Sequence, residues 1–211
     1  MRTFRVEYVG VAALVACCGV VVPSARANVD LGFDPTPQTV GVGDIVEIGL
    51  MAISDDDFFQ SIGAMEVILN WDTDVLRLID HVDNGPYEWL MSSFPDDGVF
   101  DGLNDTFLDG DALYRALAQF APAPPAFAPP QGLLVTTLRF EAIAPSPLTD
   151  IVIPPTAGFF TETIVLDGFI PGLNVTGELG SAQITVVPEP ATLTLLAIAS
   201  VAVIRRRLHA A

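Results

Sequence analysis

From Asn28 to Val187 the chain is written as short alternating apolar and polar runs, each closed by a cluster of Gly, Pro, Asp or Asn. A period of two places neighbouring side chains on opposite faces of an extended backbone, and frequent breakers stop each run before it reaches helical length. Residues 45–52 set Ile45 and Glu47 against Val46, Ile48 and Leu50, and residues 62–71 set Ala64, Glu66, Ile68 and Asn70 against Met65, Val67, Leu69 and Trp71. Further strands are expected at 29–33, 75–79, 112–120, 133–144, 158–166, 173–176 and 182–187. The alternation supplies two inner apolar faces, so the expectation is an all-β domain, a sandwich of about eight or nine strands. The run 121–130 holds five prolines and is expected as an extended surface loop. Residues 83–113 are the least regular. Tyr87, Trp89, Leu90, Met91 and Phe94 there suit either a short helical cover that fills the core or an aromatic face for sugar.

Charge narrows the partners. In residues 28–187, 18 Asp and 6 Glu stand against Arg77, Arg115 and Arg139, a formal charge of −21, and the 211-residue chain has no lysine. Such a surface repels nucleic acid and anionic lipid and favours solubility, divalent cations or cationic partners.

The N-terminus has the three parts of a secretory signal peptide: Arg2 and Arg5, an apolar core over 9–22, and small residues at Ala25-Arg26-Ala27. Signal peptidase is expected to cut after Ala27, leaving Asn28 as the mature N-terminus. Leu14-Val15-Ala16-Cys17 also fits a lipoprotein box, with Cys17 lipidated, although it leaves a shorter apolar core behind Glu7. Cys17 and Cys18 are the only cysteines, so cleavage after Ala27 leaves no thiol for a disulfide or a cysteine-based zinc site.

The C-terminus reads as Val187-Pro188-Glu189-Pro190, then an apolar run over 191–204, then Arg205-Arg206-Arg207. The prolines stop the preceding strand, the uncharged run is competent for a membrane helix, and three cations hold the end on the cytoplasmic side. Fourteen residues rise only about 21 Å as a helix, short of the roughly 30 Å hydrocarbon core, so the anchor is marginal. A buried C-terminal helix of a soluble domain is the other reading, but it would carry an amphipathic stripe. This order of parts resembles the PEP-CTERM sorting signal. The resemblance implies an exosortase-type enzyme cutting near the proline box after transient anchoring in the inner membrane. The domain plan is then 1–27 signal peptide, 28–187 sandwich and 188–211 sorting signal.

A second resemblance lies in the middle of the chain. Val42-Gly43-Asp44, Ile62-Gly63-Ala64, the segment Asn70-Trp71-Asp72-Thr73-Asp74-Val75-Leu76 and the later Leu133-Leu134-Val135 strand that closes on Phe140-Glu141-Ala142 are similar to the cohesin-type β-sandwich in kind and order. The resemblance implies a cohesin-like β-sandwich; an unrelated immunoglobulin-like or jelly-roll sandwich would share the periodicity.

Catalytic groups are sparse. His81 is the only imidazole of the exported part, and a Ser-His-Asp site would need Ser54, Ser61, Ser92 or Ser93 folded onto it. No Gly-x-Ser-x-Gly elbow, phosphate loop or dinucleotide fingerprint occurs. Asp96, Asp97, Asp101, Asn104, Asp105, Asp109 and Asp111 offer hard oxygen ligands on a Gly-punctuated loop, as Ca²⁺ requires, but their spacing fails the EF-hand pattern. The alternative is a solvated loop whose Asp and Asn favour turns. The expected function is a non-enzymatic exported envelope or matrix module that binds protein or polysaccharide. Its rival is a secreted glycoside hydrolase working through two carboxylates.

Overall fold

The computed structural model describes residues 28–96 and 98–189. Sixteen strands make up its regular structure: β1 (Val29–Asp34), β2 (Gln38–Gly41), β3 (Ile45–Ser54), β4 (Gln60–Ile62), β5 (Ala64–Trp71), β6 (Leu76–Val82), β7 (Met91–Ser93) and β8 (Asp111–Leu117) form the first half. The second half is β9 (Ala126–Ala128), β10 (Leu133–Ala142), β11 (Ser146–Val152), β12 (Thr156–Ala157), β13 (Thr161–Glu162), β14 (Ile164–Leu166), β15 (Thr176–Leu179) and β16 (Ser181–Val187). One sheet runs β15-β1-β3-β10-β6; the other runs β2-β16-β11-β5-β8-β7, with β14 also on β5. Neighbours far apart in sequence, such as β3 beside β10 and β5 beside β11, make the crossed connections of a jelly-roll sandwich.

Alternation on the long strands builds the core as expected. Val46, Ile48 and Leu50 of β3, Leu138 and Phe140 of β10, and Met65, Val67 and Leu69 of β5 are buried between the sheets. Trp71 of one sheet meets Phe140 of the other edge to face, centroids 5.4 Å apart. Burying such side chains contributes roughly 1.5–3 kcal/mol each, enough to hold a domain of this size without disulfides.

Several local expectations are corrected. The stretch 62–71 is not one strand: Gly63 divides it, accepting a bond from the Ala118 N–H and donating to the Leu166 carbonyl. A Cβ at Gly63 would lie 2.9 Å from the Asp167 carbonyl oxygen, so only glycine permits this junction. The stretch 158–166 is the turn and second strand of the β12–β13 hairpin followed by β14, and the proline run contains β9, paired with β4. The strand β11 had no sequence signal because Pro147 interrupts its alternation. Among the described residues of 83–113 there is no helix; Tyr87, Trp89 and Phe94 pack on the core from irregular backbone, whereas Leu90 and Met91 stay exposed. No helix among the described residues is long and apolar enough to cross a membrane, and the segment expected to do so, 191–204, lies outside them.

Candidate functional site

The outer face of the second sheet carries an open groove of about 470 Å³. Its floor is Ala64 and Glu66 of β5 with Arg115 and Leu117 of β8, flanked by Ile164 and Leu166 of β14 and by Met91 of β7. Ladder pairing places these side chains in register, Glu66 opposite Arg115 and Ala64 opposite both Leu117 and Leu166. Arg115 binds Glu66 through Nε and Nη2, each 2.7 Å from the same oxygen, so the floor's one cation is neutralised in place. Phe160 stands at one end, 72% exposed, against Phe100 with centroids 5.8 Å apart and against Phe159 at 5.0 Å. A second depression is lined by Gly63 and Ala118 and by the exposed rings of Phe120 and Phe169.

Carboxylates fix both aromatic loops. Asp101 accepts the backbone N–H groups of Phe159, Phe160 and Thr161 at 3.1, 2.9 and 2.9 Å. The Phe159 and Phe160 N–H groups, with smaller help from Thr161, outweigh desolvation and hold its carboxyl below the usual range. Gly158 at φ +60° lies against the Asp101 carboxylate, where a Cβ would collide. Asp167 accepts from the N–H groups of Phe169 and Ile170 and from Gln60 and Ser61. Burial works against its ionised form, but these four donors prevail and lower its pKa.

These bonds reassign part of the acidic loop. Asp101 is spent on the 159–161 backbone, and the Asn104 side chain donates to the Pro95 and Leu113 carbonyls while accepting the Leu113 N–H. Leu103, between them, is buried over Ile68 and Leu113. Asp96, Asp105 and Asp109 are exposed, and Asp97 lies outside the described residues. Burial first, then the charges of Asp109 and Asp105, raises the Asp111 carboxyl, and its Oδ1 has no protein partner. Among the described residues no three of His, Cys, Asp or Glu converge closely enough to hold a metal ion.

The fold does bring Ser92, His81 and Asp83 together, but not in the order nucleophilic catalysis needs. Ser92 Oγ donates to Asp83 at 2.6 Å and bonds the Tyr114 hydroxyl, while His81 Nε2 faces the Ser92 carbonyl at 3.3 Å. Thr136 adds a bond to Asp83. Burial, first, drives Tyr114 up to about 12, so its hydroxyl stays protonated. The cluster links β6 and β10 to β7 and β8 across the sandwich. Ser61 instead donates to Asp167, and Ser54 accepts the Asp56 N–H.

The sorting segment begins inside the folded sheet. Val186 is buried and pairs with Val40, Val187 pairs with Gly41, and Pro188, which has no N–H, ends the ladder; Pro188 and Glu189 are exposed. Pro190 and Arg205, Arg206 and Arg207 lie outside the described residues, as do Ala25 and Ala27.

With this geometry in place, two similarities carry weight. Residues 186–207 match the PEP-CTERM protein-sorting motif, so the chain carries the signal of an exported protein with an exosortase-type processing partner. The sandwich has a cohesin-like fold. It superposes on the cohesin module of a Clostridium perfringens family 33 glycoside hydrolase with a TM-score of 0.52 and 12% identity, covering 78% of this chain and 100% of that one. The sixth cohesin of Acetivibrio cellulolyticus scaffoldin B, solved with a dockerin, gives 0.52 at 12% identity over 76% and 99%. The seventh type I cohesin of ScaB from Pseudobacteroides cellulosolvens gives 0.51 at 11% identity over 77% and 94%. No curated protein matches the chain.

Sequence reasoning had not found the groove. Its one signal was the mixed outer face of β5, where Ala64 and Glu66 lie on the same side as the apolar Ile68.

Proposed function

We propose that this chain is an exported, non-enzymatic binding module that docks a protein partner in the groove on the outer face of β14, β5, β8 and β7. The groove itself carries the reading: it is open, walled by Met91, Leu117, Ile164 and Leu166, and bordered by aromatic residues held on carboxylate-capped turns. A pre-ordered site loses less entropy on binding. The dockerin complex of a structural neighbour supports a protein rather than a polysaccharide ligand. The hydrolase alternative is less well supported, because the carboxyl that burial raises, Asp111, does not line the groove and Glu66 is committed to Arg115.

Delivery follows from the C-terminus. Signal peptidase removes 1–27, the 191–204 segment lodges in the inner membrane, and an exosortase-type enzyme cuts near Pro188-Glu189-Pro190, releasing the module to the envelope or matrix. A photo-crosslinker in place of Met91, in the protein exported by its own host, tests the site. A protein adduct is expected; adducts to polysaccharide alone, or the same adducts from a crosslinker at Thr185, reject it. Changing Pro188-Glu189-Pro190 to alanines is expected to block processing, and wild-type release would reject the sorting part.

A further inference from the structure

Resting on the reading of the groove as a protein-binding site, we propose that its occupant is an apolar segment bearing a lysine or arginine, with that cation seated between Glu162 and the ring of Phe160.

Both residues line the groove. Glu162 is exposed, and no ion pair neutralises it among the described residues. The described arginines are all engaged elsewhere: Arg77 with Glu141, Arg115 with Glu66 on the groove floor, and Arg139 with Asp80 and Glu47 at 3.1 and 3.3 Å. With no lysine in the chain, the sandwich has no spare cation to place beside Glu162. Asp101 does not line the groove, but its carboxylate holds the Phe159 and Phe160 N–H groups and so fixes the ring that faces Glu162 there.

An incoming carboxylate would therefore meet the uncompensated charge of Glu162. An incoming ammonium or guanidinium would gain an ion pair and the face of an aromatic ring together. Further along, Met91, Leu117, Ile164 and Leu166 offer only apolar contact, so the cation must be carried on a greasy segment. A second copy of this sandwich is a poor occupant, since −21 would face −21. The same field attracts a cationic partner from a distance and makes its association rate fall with salt.

The test uses the protein recovered from its host after export and two synthetic peptides with identical leucine and alanine positions, one with lysine and the other with glutamate at its polar positions. Methyl NMR follows Met91, Leu117, Ile164 and Leu166. The lysine peptide is expected to shift these signals and the glutamate peptide to leave them unmoved, and Glu162→Gln is expected to weaken the lysine peptide about three- to tenfold. Phe160→Ala should weaken it as well. Equal shifts from both peptides, or unchanged affinity in Glu162→Gln, overturn the cation proposal while leaving the groove as a binding site. Shifts from neither peptide, or only at methyls outside the groove, overturn both.

Discussion

Trp71 against Phe140 and Phe100 against Phe160 are the same kind of contact, with ring centroids 5.4 and 5.8 Å apart, on opposite sides of the second sheet. Phe140 is fully buried and Trp71 nearly so, whereas Phe100 and Phe160 are 63% and 72% exposed. Contact geometry alone therefore does not say what an aromatic pair is for. The inner pair removes apolar surface from water and joins two sheets, which is stability. The outer pair leaves most of its surface wet, on turns stiffened by Asp101, which is what the proposed docking surface requires.

The sharpest way to break this contrast is to truncate one ring on each side. Phe140→Ala is expected to cost about 3–5 kcal/mol by urea unfolding, the transfer loss plus a cavity. Phe160→Ala is expected to stay within about 0.5 kcal/mol. Comparable losses at both sites would erase the distinction.

A smaller effect is expected at the polar link between the sheets. Tyr114→Phe removes the hydroxyl bonded to Ser92 and should cost about 1 kcal/mol, less than the ring at position 140 because packing is retained. An unchanged unfolding midpoint would mean that the cluster does not tie the sheets.

Acid should separate the two sides next. Asp101 and Asp167 have folded values below the unfolded 3.8, so the stability they lend is present above that pH and is lost as pH falls through their folded values. Protection factors at the Phe159–Thr161 amides and at Phe169 and Ile170 should fall there before those of the core amides do. Asp111 has the opposite sign: its raised value means that ionisation costs stability as pH rises through 3.8 toward the folded value, and Asp111→Asn should raise Tm slightly at neutral pH. Simultaneous exchange of loops and core would contradict the separation.

The smallest effect concerns Ca²⁺ at the acidic loop, a proposal now confined to Asp105, Asp109 and Asp111, which a cation would have to draw together. Calcium at its own dissociation constant adds only about 0.4 kcal/mol, or about 1 °C in Tm for a domain of this size. Asp111→Asn should abolish that rise, and no rise in the unaltered protein removes the proposal.

Much of the architecture was legible because alternation is a local property. Val46, Ile48 and Leu50 face inward for the same reason that Ile45 and Glu47 face outward, and no distant residue is needed to say so. The proline box and basic end were legible for a similar reason: helix competence, the missing N–H of proline and charge asymmetry are written in consecutive residues. The short strands were not. β9 exists in a proline-rich run because β4 offers it a ladder, and β7 because β8 does.

The tertiary structure alone decided the use of the acidic residues and the place of the groove. In sequence, Asp101 and Asn104 look the same as Asp105 and Asp109. In the fold, Asp101 meets the N–H groups of residues 58 to 60 positions away, and Asn104 closes on Leu113. Ile68 lies on the same outer face as Glu66, but Leu103 covers the first and leaves the second open. Side-chain direction depends on a residue's immediate neighbours. Hydrogen-bond partners and cover over a face come from long-range closure of the chain, which no local pattern records.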